Sequence, residues 1–414
     1  MERKHISLAH IIKAPEKEGP LSKGKMNLRD IPSGLSVEQR CNERRSRLEK
    51  ELDVNLSRLQ PAEGAIGHAD ERNCEQMIGH VPLPVGYAGP LKVRFSSSET
   101  TYIHLPLATT EGALIASVNR GCKALNASGG VKASSVHHGM SRSLAFRIMN
   151  HESRIMDNLK TTEKQWRTIA ESTSAHLNVL RYEVDIAGRH LFLTLFCDTD
   201  KAMGMNMVTF AAQAVGEWVE ENITGLEFIT VAGNVDSDKK PSARAHARGR
   251  GYEVAAEATL SAEVIRSVLK TTPEALLRVA HAKLELGSII AGAIGKNLHA
   301  ANVIAALYLA TGQDAAHVVE GSLADTRISA LSNHRIYAGV RVPALLVGIR
   351  GGGTTLPAQE QCLNMLMHSK TSLHSNAQLS ESIGAAVLAG EISLLSAQAA
   401  HHLAGAHRKH GRER

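Results

Sequence analysis

The sequence predicts an α+β fold in which a helical large domain is interrupted by a small ferredoxin-like domain. Three observations carry that reading. Between about residues 142 and 235, strand and helix periods alternate in the order β-α-β-β-α-β. The flanking stretches are rich in Ala and Gly at helical spacing. Aromatics make up only 3% of the chain against 34 Gly, so aliphatic side chains must fill the core and elements must approach closely.

Residues 1–74 read as a charged N-terminal helical region, with Ser36 placed to cap VEQRCNERRSRLEKEL. The large domain takes residues 75–143 and 231–414, and the small domain takes 144–230. RSLAFRIM is the first strand of the split motif, and TTEKQWRTIAES is a short amphipathic helix. NVLRYEVDI and RHLFLTLFC form a hairpin turning at Ala187, Gly188 and Arg189. Val208, Ala211, Val215, Trp218, Val219 and Asn222 follow at helical spacing, and GLEFITVAG supplies the last strand. From about residue 255 the chain reads as mostly helical. Segments 273–311 and 376–404 are apolar at helical spacing, and Gly287, Gly292 and Gly295 would allow close helix contact.

Composition narrows the function classes. Hydrophobic residues at 43% and charged ones at 21% are those of a soluble globular protein. Part of the net charge of +6 sits in Arg408, Lys409, Arg412 and Arg414, with no aromatics interleaved, so no nucleic-acid partner is expected. Modest basicity also suits a ligand with several phosphates. Five scattered cysteines suggest neither a zinc cluster nor a disulfide framework, and fit a reducing, cytoplasmic location. The longest apolar stretch identified, Leu284 to Gly295, is shorter than the roughly 18 residues that span a bilayer, so no membrane partner is expected either.

Several stretches carry chemistry. Glu111, in TTEGALIASVNRGCKAL, sits at the predicted start of a helix, where a carboxylate ordinarily caps. Burial would make it a general acid instead. Lys239 and Lys240 lie in a polar loop before Pro241. Such a pair is usually a solvated face, but an ammonium held beside a carbonyl stabilises an oxyanion. Asn302 and Asp314 bracket a helical run, and Asp314 beside Lys239 and Glu111 would keep the ammonium charged. Gly351, Gly352 and Gly353 precede a helix, where backbone amides can approach a pyrophosphate; a tight turn is the commoner reason for such a run. The chain has no GxGxxG, so a Rossmann site is not supported. His401, His402, His407 and His410 lack a carboxylate or cysteine at metal-ligand spacing, so no metal is expected.

EQMIGHVPLPVGYAGPL, TTEGALIASVNRGCKAL, AMGMNMV, DKKP, HAANVIAALYLATGQDAA, GGGT and GEISLL occur in an order that resembles the 3-hydroxy-3-methylglutaryl-coenzyme A reductases, specifically the catalytic portion of the class I type. The resemblance runs from about Glu75 to His410 and implies a large domain around a central helix, with the small domain binding the dinucleotide. It implies reduction of a thioester to mevalonate and free coenzyme A with two hydrides. Glu111 would protonate the aldehyde oxygen, Lys239 would stabilise the oxyanions, Asp314 would tune both, and His407 would protonate the departing thiolate. Arg142, Lys240, Lys283 and Asn302 match positions around the hydroxymethylglutaryl group, and Asn119, Arg120 and His299 match the coenzyme A site. Ser172, Ser174, Lys201, Met203, Gly204, Met205, Asn206 and Gly351 to Gly353 match the dinucleotide site. The implied partners are the thioester, the dinucleotide and further copies of the chain, as a homodimer or homotetramer with the active site between subunits.

Three positions depart from the family pattern. Lys201 stands where an Asp precedes AMGMNM, Ala175 and His176 follow the Ser172-Thr173-Ser174 run where an Arg holds the 2′-phosphate, and Ala232 replaces a Ser. NADPH is the expected cofactor, with NADH the other candidate. The same residues also fit a diverged paralogue acting on another acyl-coenzyme A or in the oxidative direction, or a non-catalytic acyl-coenzyme A-binding protein.

Overall fold

The computed structural model describes residues 28–149 and 152–400, which divide into two compact units. The first comprises residues up to 63 together with 68–81. Its helix α1 (Val37–Leu52) starts at Ser36, whose hydroxyl accepts the Gln39 N–H while the Gln39 side chain accepts the Ser36 N–H. This reciprocal cap is the one expected of Ser followed three residues later by Gln. A short helix α2 (Ala69–Arg72) presents Asp70 to Arg40, which donates two hydrogen bonds at 2.7 and 2.8 Å. Those bonds hold the Asp70 carboxyl below the ordinary aspartate range, against the opposing effect of burial.

The second unit takes residues 64–67 and 82 onward. Strands β1 (Val85–Arg94) and β2 (Thr100–Ala108) form an antiparallel pair, and helix α3 (Leu114–Ala127) packs on β1, burying Val118, Cys122 and Leu125 at helical spacing. Strand β3 (Val131–Ile148) is eighteen residues long and belongs to two sheets. The registers change at Gly139, whose φ of +86° a side chain would resist.

After helices α4 (Glu152–Thr161) and α5 (Glu163–Ser172) come the hairpin β4 (Asn178–Ala187) and β5 (His190–Asp198), helix α6 (Met205–Asn222) and strand β6 (Leu226–Thr230). These strands and the second half of β3 make an antiparallel sheet in the order β4-β5-β3-β6. It has its own apolar core, in which Trp166, Phe146, Leu193 and Val215 are fully buried. The Trp166 indole N–H is satisfied by the Leu159 carbonyl at 3.0 Å.

The rest of the chain runs α7 (Ala243–Arg248), β7 (Gly251–Leu260), α8 (Ala262–Ser267), α9 (Pro273–Ala280), a π-helical stretch His281–Gly287, α10 (Ser288–Ala291) and α11 (Ala300–Thr311). It continues through α12 (Val318–Gly321), β8 (Asp325–Ala330), β9 (Ile336–Leu345), α13 (Pro357–Leu366) and α14 (Ser375–Ala399). The larger sheet has the order β2-β1-β3-β7-β9-β8 and is mixed, because β1 and β3 run parallel. Helix α14 lies across it with 21 of its 25 residues buried. By length and composition α14 could cross a bilayer, but that burial makes it the core helix of this unit. Close approach explains its small residues. A Cβ on Gly121 of α3 would sit 2.0 Å from the Ala389 carbonyl oxygen, and one on Gly384 would sit 2.4 Å from Val254 of β7. Two buried carboxylates of α14 tie down loops. Glu381 accepts from the N–H and hydroxyl of Ser96 and from Ser135, and Glu391 accepts from Leu298 N–H, His299 N–H and the Thr326 hydroxyl.

Beyond residue 255 the described chain is mostly helical, as expected, but the expectation missed β8, β9 and the end of β7. In β7, Tyr252, Val254, Ala256, Ala258 and Leu260 alternate inward, but Ala faces α14 where close packing requires it, and an Ala-rich strand has the composition of a helix. Strand β3 likewise begins well before RSLAFRIM. Gly292 ends α10 at a φ of +64°, and Gly295 lies against the backbone of Leu323 and Ala324, so neither joins helix to helix.

Candidate active site

The loop between β6 and α7 carries Lys239, held at both ends. Its backbone adopts a φ of +55°, uncommon for a side-chain-bearing residue, and its N–H donates to Glu320 Oε1 at 2.6 Å. Its Nζ lies 2.8 Å from Asp314 Oδ2. Asp314 also caps the short turn that follows α11, accepting the Ala316 N–H at 3.0 Å. Burial pushes the Asp314 carboxyl up, but the Lys239 ammonium, the Ala316 N–H and His317 outweigh it and keep it below its ordinary value. The pair is thus an ammonium and a carboxylate, both partly open to solvent. Beneath it, Arg250 donates to the fully buried Glu320 at 2.9 Å, to Asp238 at 3.0 Å and to the Ser141 hydroxyl at 3.0 Å. Arg142 Nη1 lies 3.5 Å from both Asp236 and Asp238, while its buried Nε has no partner. Lys240 is exposed, donating to the Asp238 carbonyl.

Two glycine-bearing segments meet beside this pair. The Lys201 carbonyl accepts from Ile349 and Arg350 N–H at 2.9 and 3.1 Å, and a Cβ on Gly348 would lie 2.3 Å from Met203 N. Gly204 takes a φ of +91° to start α6, placing Met205 and Asn206 in its first turn. Gly353 packs on Gly312, and Gln313 accepts the Gly348 N–H at 3.0 Å, so the glycine run abuts the residues just before Asp314. Gly351 and Gly352 have left-handed backbones with nothing within 4 Å of where a Cβ would be. That is a bare backbone surface open to a flat, phosphate-bearing ligand. Ser172 ends α5 and Ser174 accepts the His176 N–H, while the His176 and His374 rings lie 3.3 and 3.5 Å from Asp200, next to Lys201.

A third feature is a cleft of about 640 Å³ lined by Asn119, Arg120, Lys123, Asn126 and Lys270. Arg120 donates to the Ser393 hydroxyl and carbonyl at 3.0 and 2.7 Å, and burial draws its pKa down. Asn119 accepts the Gly89 N–H at 3.1 Å. Lys123 and Lys270 escaped the sequence reading. The signal for Lys270 was its place two residues before Thr272, the cap of α9. Lys123 offered only its position one turn after Asn119 and Arg120 in α3.

Other expected site residues lie apart. Glu111 is exposed three residues before α3, not in its first turn, and its N–H donates to the Thr109 hydroxyl. Among the described residues of one chain it makes no ion pair with Lys239. Lys283 is exposed on the π-helical stretch. Asn302 lies in the first turn of α11, and the neighbouring His299 has a buried Nε2 with no partner. His407 lies outside the described residues.

An ammonium fixed where two glycine-bearing segments meet suits reduction of a carbonyl, and a cationic cleft suits an acyl carrier bearing phosphates. That describes a thioester-reducing oxidoreductase. The chain belongs to the hydroxymethylglutaryl-coenzyme A reductase family, which its residues 40–412 match. It is 38% identical over 400 residues to the 3-hydroxy-3-methylglutaryl-coenzyme A reductase of Methanothermobacter thermautotrophicus, covering 95% of this chain and 98% of that one. It is 41% identical over 343 residues to the Halobacterium salinarum reductase, covering 82% and 84%. Its fold is similar to that of the class II reductase of Streptococcus pneumoniae, solved bound to NADPH, with a TM-score of 0.65 at 18% identity over 86% of each chain.

Proposed function

We propose that this chain reduces 3-hydroxy-3-methylglutaryl-coenzyme A to mevalonate and free coenzyme A with two molecules of NADPH, and that the site residues divide the work as follows. The observation that carries the assignment is the Lys239–Asp314 pair at 2.8 Å, set against the contact between Gly312 and Gly353. NADPH supplies the hydrides. The first converts the thioester carbonyl to a hemithioacetal oxyanion, which the Lys239 ammonium stabilises. Collapse breaks the carbon–sulfur bond, and His407 protonates the leaving thiolate so that it cannot re-add. The second hydride reduces the aldehyde, and Glu111 protonates the resulting alkoxide. Asp314, ionised throughout, keeps Lys239 charged and aimed.

Arg142, Lys240, Lys283 and Asn302 hold the hydroxymethylglutaryl group, and the unpartnered Arg142 Nε supports a carboxylate there. Asn119, Arg120 and His299 hold coenzyme A, joined by Lys123 and Lys270. Ser172, Ser174, Lys201, Met203, Gly204, Met205, Asn206 and the three glycines from Gly351 hold the dinucleotide. The choice of NADPH is supported by the Streptococcus neighbour and by Lys201 and Arg350, which form no ion pair among the described residues.

Residues 144–230 make a ferredoxin-like domain within a large domain of residues 75–143 and 231–414, preceded by the charged N-terminal region 1–74, whose described part carries α1 and α2. The β4-β5-β3-β6 order and the separate apolar core support this. The enzyme is a cytoplasmic homodimer or homotetramer whose active site takes Glu111 from one subunit and Lys239 from another. Support comes from Glu111, exposed and unpaired with Lys239 in its own chain, and from Leu286, Ile289, Ile290 and Ile294, all exposed near Lys283. Five free cysteines support the compartment.

Purified enzyme should oxidise NADPH only when the thioester is added; no oxidation with either NADPH or NADH would refute the assignment. Mixing and reassembling inactive Glu111→Gln and Lys239→Met proteins should restore about a quarter of wild-type activity if subunits pair at random and share sites. No recovery would place both groups in one chain.

A further inference from the structure

We infer that His317 is a positioning residue of this reduction, gripping both ends of Lys239 through two carboxylates. The inference rests on the assignment of Lys239 just given. The His317 side chain is wholly buried. Its Nδ1 lies 3.3 and 3.4 Å from the two oxygens of Glu320, the carboxylate that fixes the Lys239 backbone. Its Nε2 lies 3.7 Å from Asp314 Oδ2, the oxygen that holds the Lys239 ammonium, and has no hydrogen-bond partner. One rigid ring therefore spans the backbone anchor and the side-chain anchor of the same lysine. A buried polar nitrogen without a partner is uncommon and calls for an explanation; a proton on Nε2 directed toward Asp314 Oδ2, 3.7 Å away, supplies one.

Asp238, His317 and Glu320 also lie close enough together to suggest a metal site. Arg250 answers that suggestion, because its Nη1 already lies 3.0 Å from Asp238 and 2.9 Å from Glu320, so the guanidinium is the cation of this cluster. With Glu320 paired to Arg250 and to the Lys239 N–H, its oxygens can only accept from the ring, so Nδ1 carries a proton; the same argument at Asp314 puts a proton on Nε2 as well, because a bare lone pair there would repel the carboxylate.

The test is a mutant cycle with both the thioester and free mevaldehyde as substrates. His317→Ala should lower kcat about 10- to 100-fold on both, with KM changed less than about threefold, because it misaims an oxyanion stabiliser and leaves binding intact. His317→Gln, which keeps an amide donor toward Glu320, should return to within about threefold of wild type. In an Asp314→Asn background, His317→Ala should cost clearly less than it does in wild type, because its hold through Asp314 is already lost while its hold through Glu320 remains. Full additivity, or a change confined to KM, would overturn the role. On the wild-type protein, imidazole nitrogen-15 spectra should show His317 protonated at Nδ1, with an Nε2 signal that moves in Asp314→Asn. A ring protonated only at Nε2, or one blind to that substitution, would overturn the inference without bearing on the reaction. Wild type that fails to reduce the thioester would sink the assigned function and leave the spectra to judge the contact.

Discussion

Replacing Lys239 by Met tests the site at its most exposed electrostatic assumption. The ammonium is 42% exposed and its partner Asp314 is 34% exposed, so water screens both, and a dielectric well above that of a dry interior applies. An oxyanion in hydrogen-bond contact with Nζ would then gain about 3 kcal/mol, which is roughly 100-fold in rate. Removing the ammonium also leaves the Asp314 charge unopposed in the site. Lys239→Met should therefore lower kcat by ~100-fold or more, and adding Asp314→Asn should recover part of that loss, about three- to tenfold. The assay is NADPH oxidation at saturating thioester, repeated with mevaldehyde, because both oxyanions rely on the same cation. A fall of less than about threefold, or one seen with only one substrate, would refute the placement of Lys239 at the reacting carbon.

Other outcomes follow from neighbouring features. Arg120→Met should raise KM for the thioester about tenfold or more while mevaldehyde reduction stays near wild type, because the cation it removes lines the cleft assigned to the carrier. Gly312→Ala should raise KM for NADPH and lower kcat together, since its Cβ would stand 2.2 Å from the Gly353 carbonyl oxygen at a φ of +70°; unchanged steady-state kinetics would mean the glycine contact does not shape the site. Asp70 titrates below its ordinary value in the folded state, so the stability it lends the N-terminal unit is present above about pH 3.9 and is lost as pH falls through its lowered native value. Amide exchange of α1 should reveal that loss, and Asp70→Asn should flatten it. Equal acid sensitivity in both proteins would contradict the Arg40 pairing.

Where one face of an element is buried and the other is wet, its period was plain in the sequence. The hairpin turning at Gly188, the α6 face of Val208, Ala211, Val215 and Val219, and the Ser36 cap were all legible for that reason. The larger sheet was not, because β7 packs Val254 and Ala256 against α14 at Gly384, and its Ala-rich composition imitates a helix. Lys239 and Asp314 could be nominated separately by their motifs, but their contact spans a distance along the chain that no local pattern records. The supporting group of Asp238, Arg250, His317 and Glu320 left no mark in the sequence. Each is an ordinary polar residue in its own segment, and only folding makes them a charge-balanced cluster.

The most direct measurement is the ratio of dinucleotide oxidised to thiol released when limiting thioester is consumed to completion. Two successive reductions on one carbon, with the thiolate leaving between them, require two molecules of NADPH for each coenzyme A freed. A ratio of one, or thiol release without any oxidation, would contradict the account.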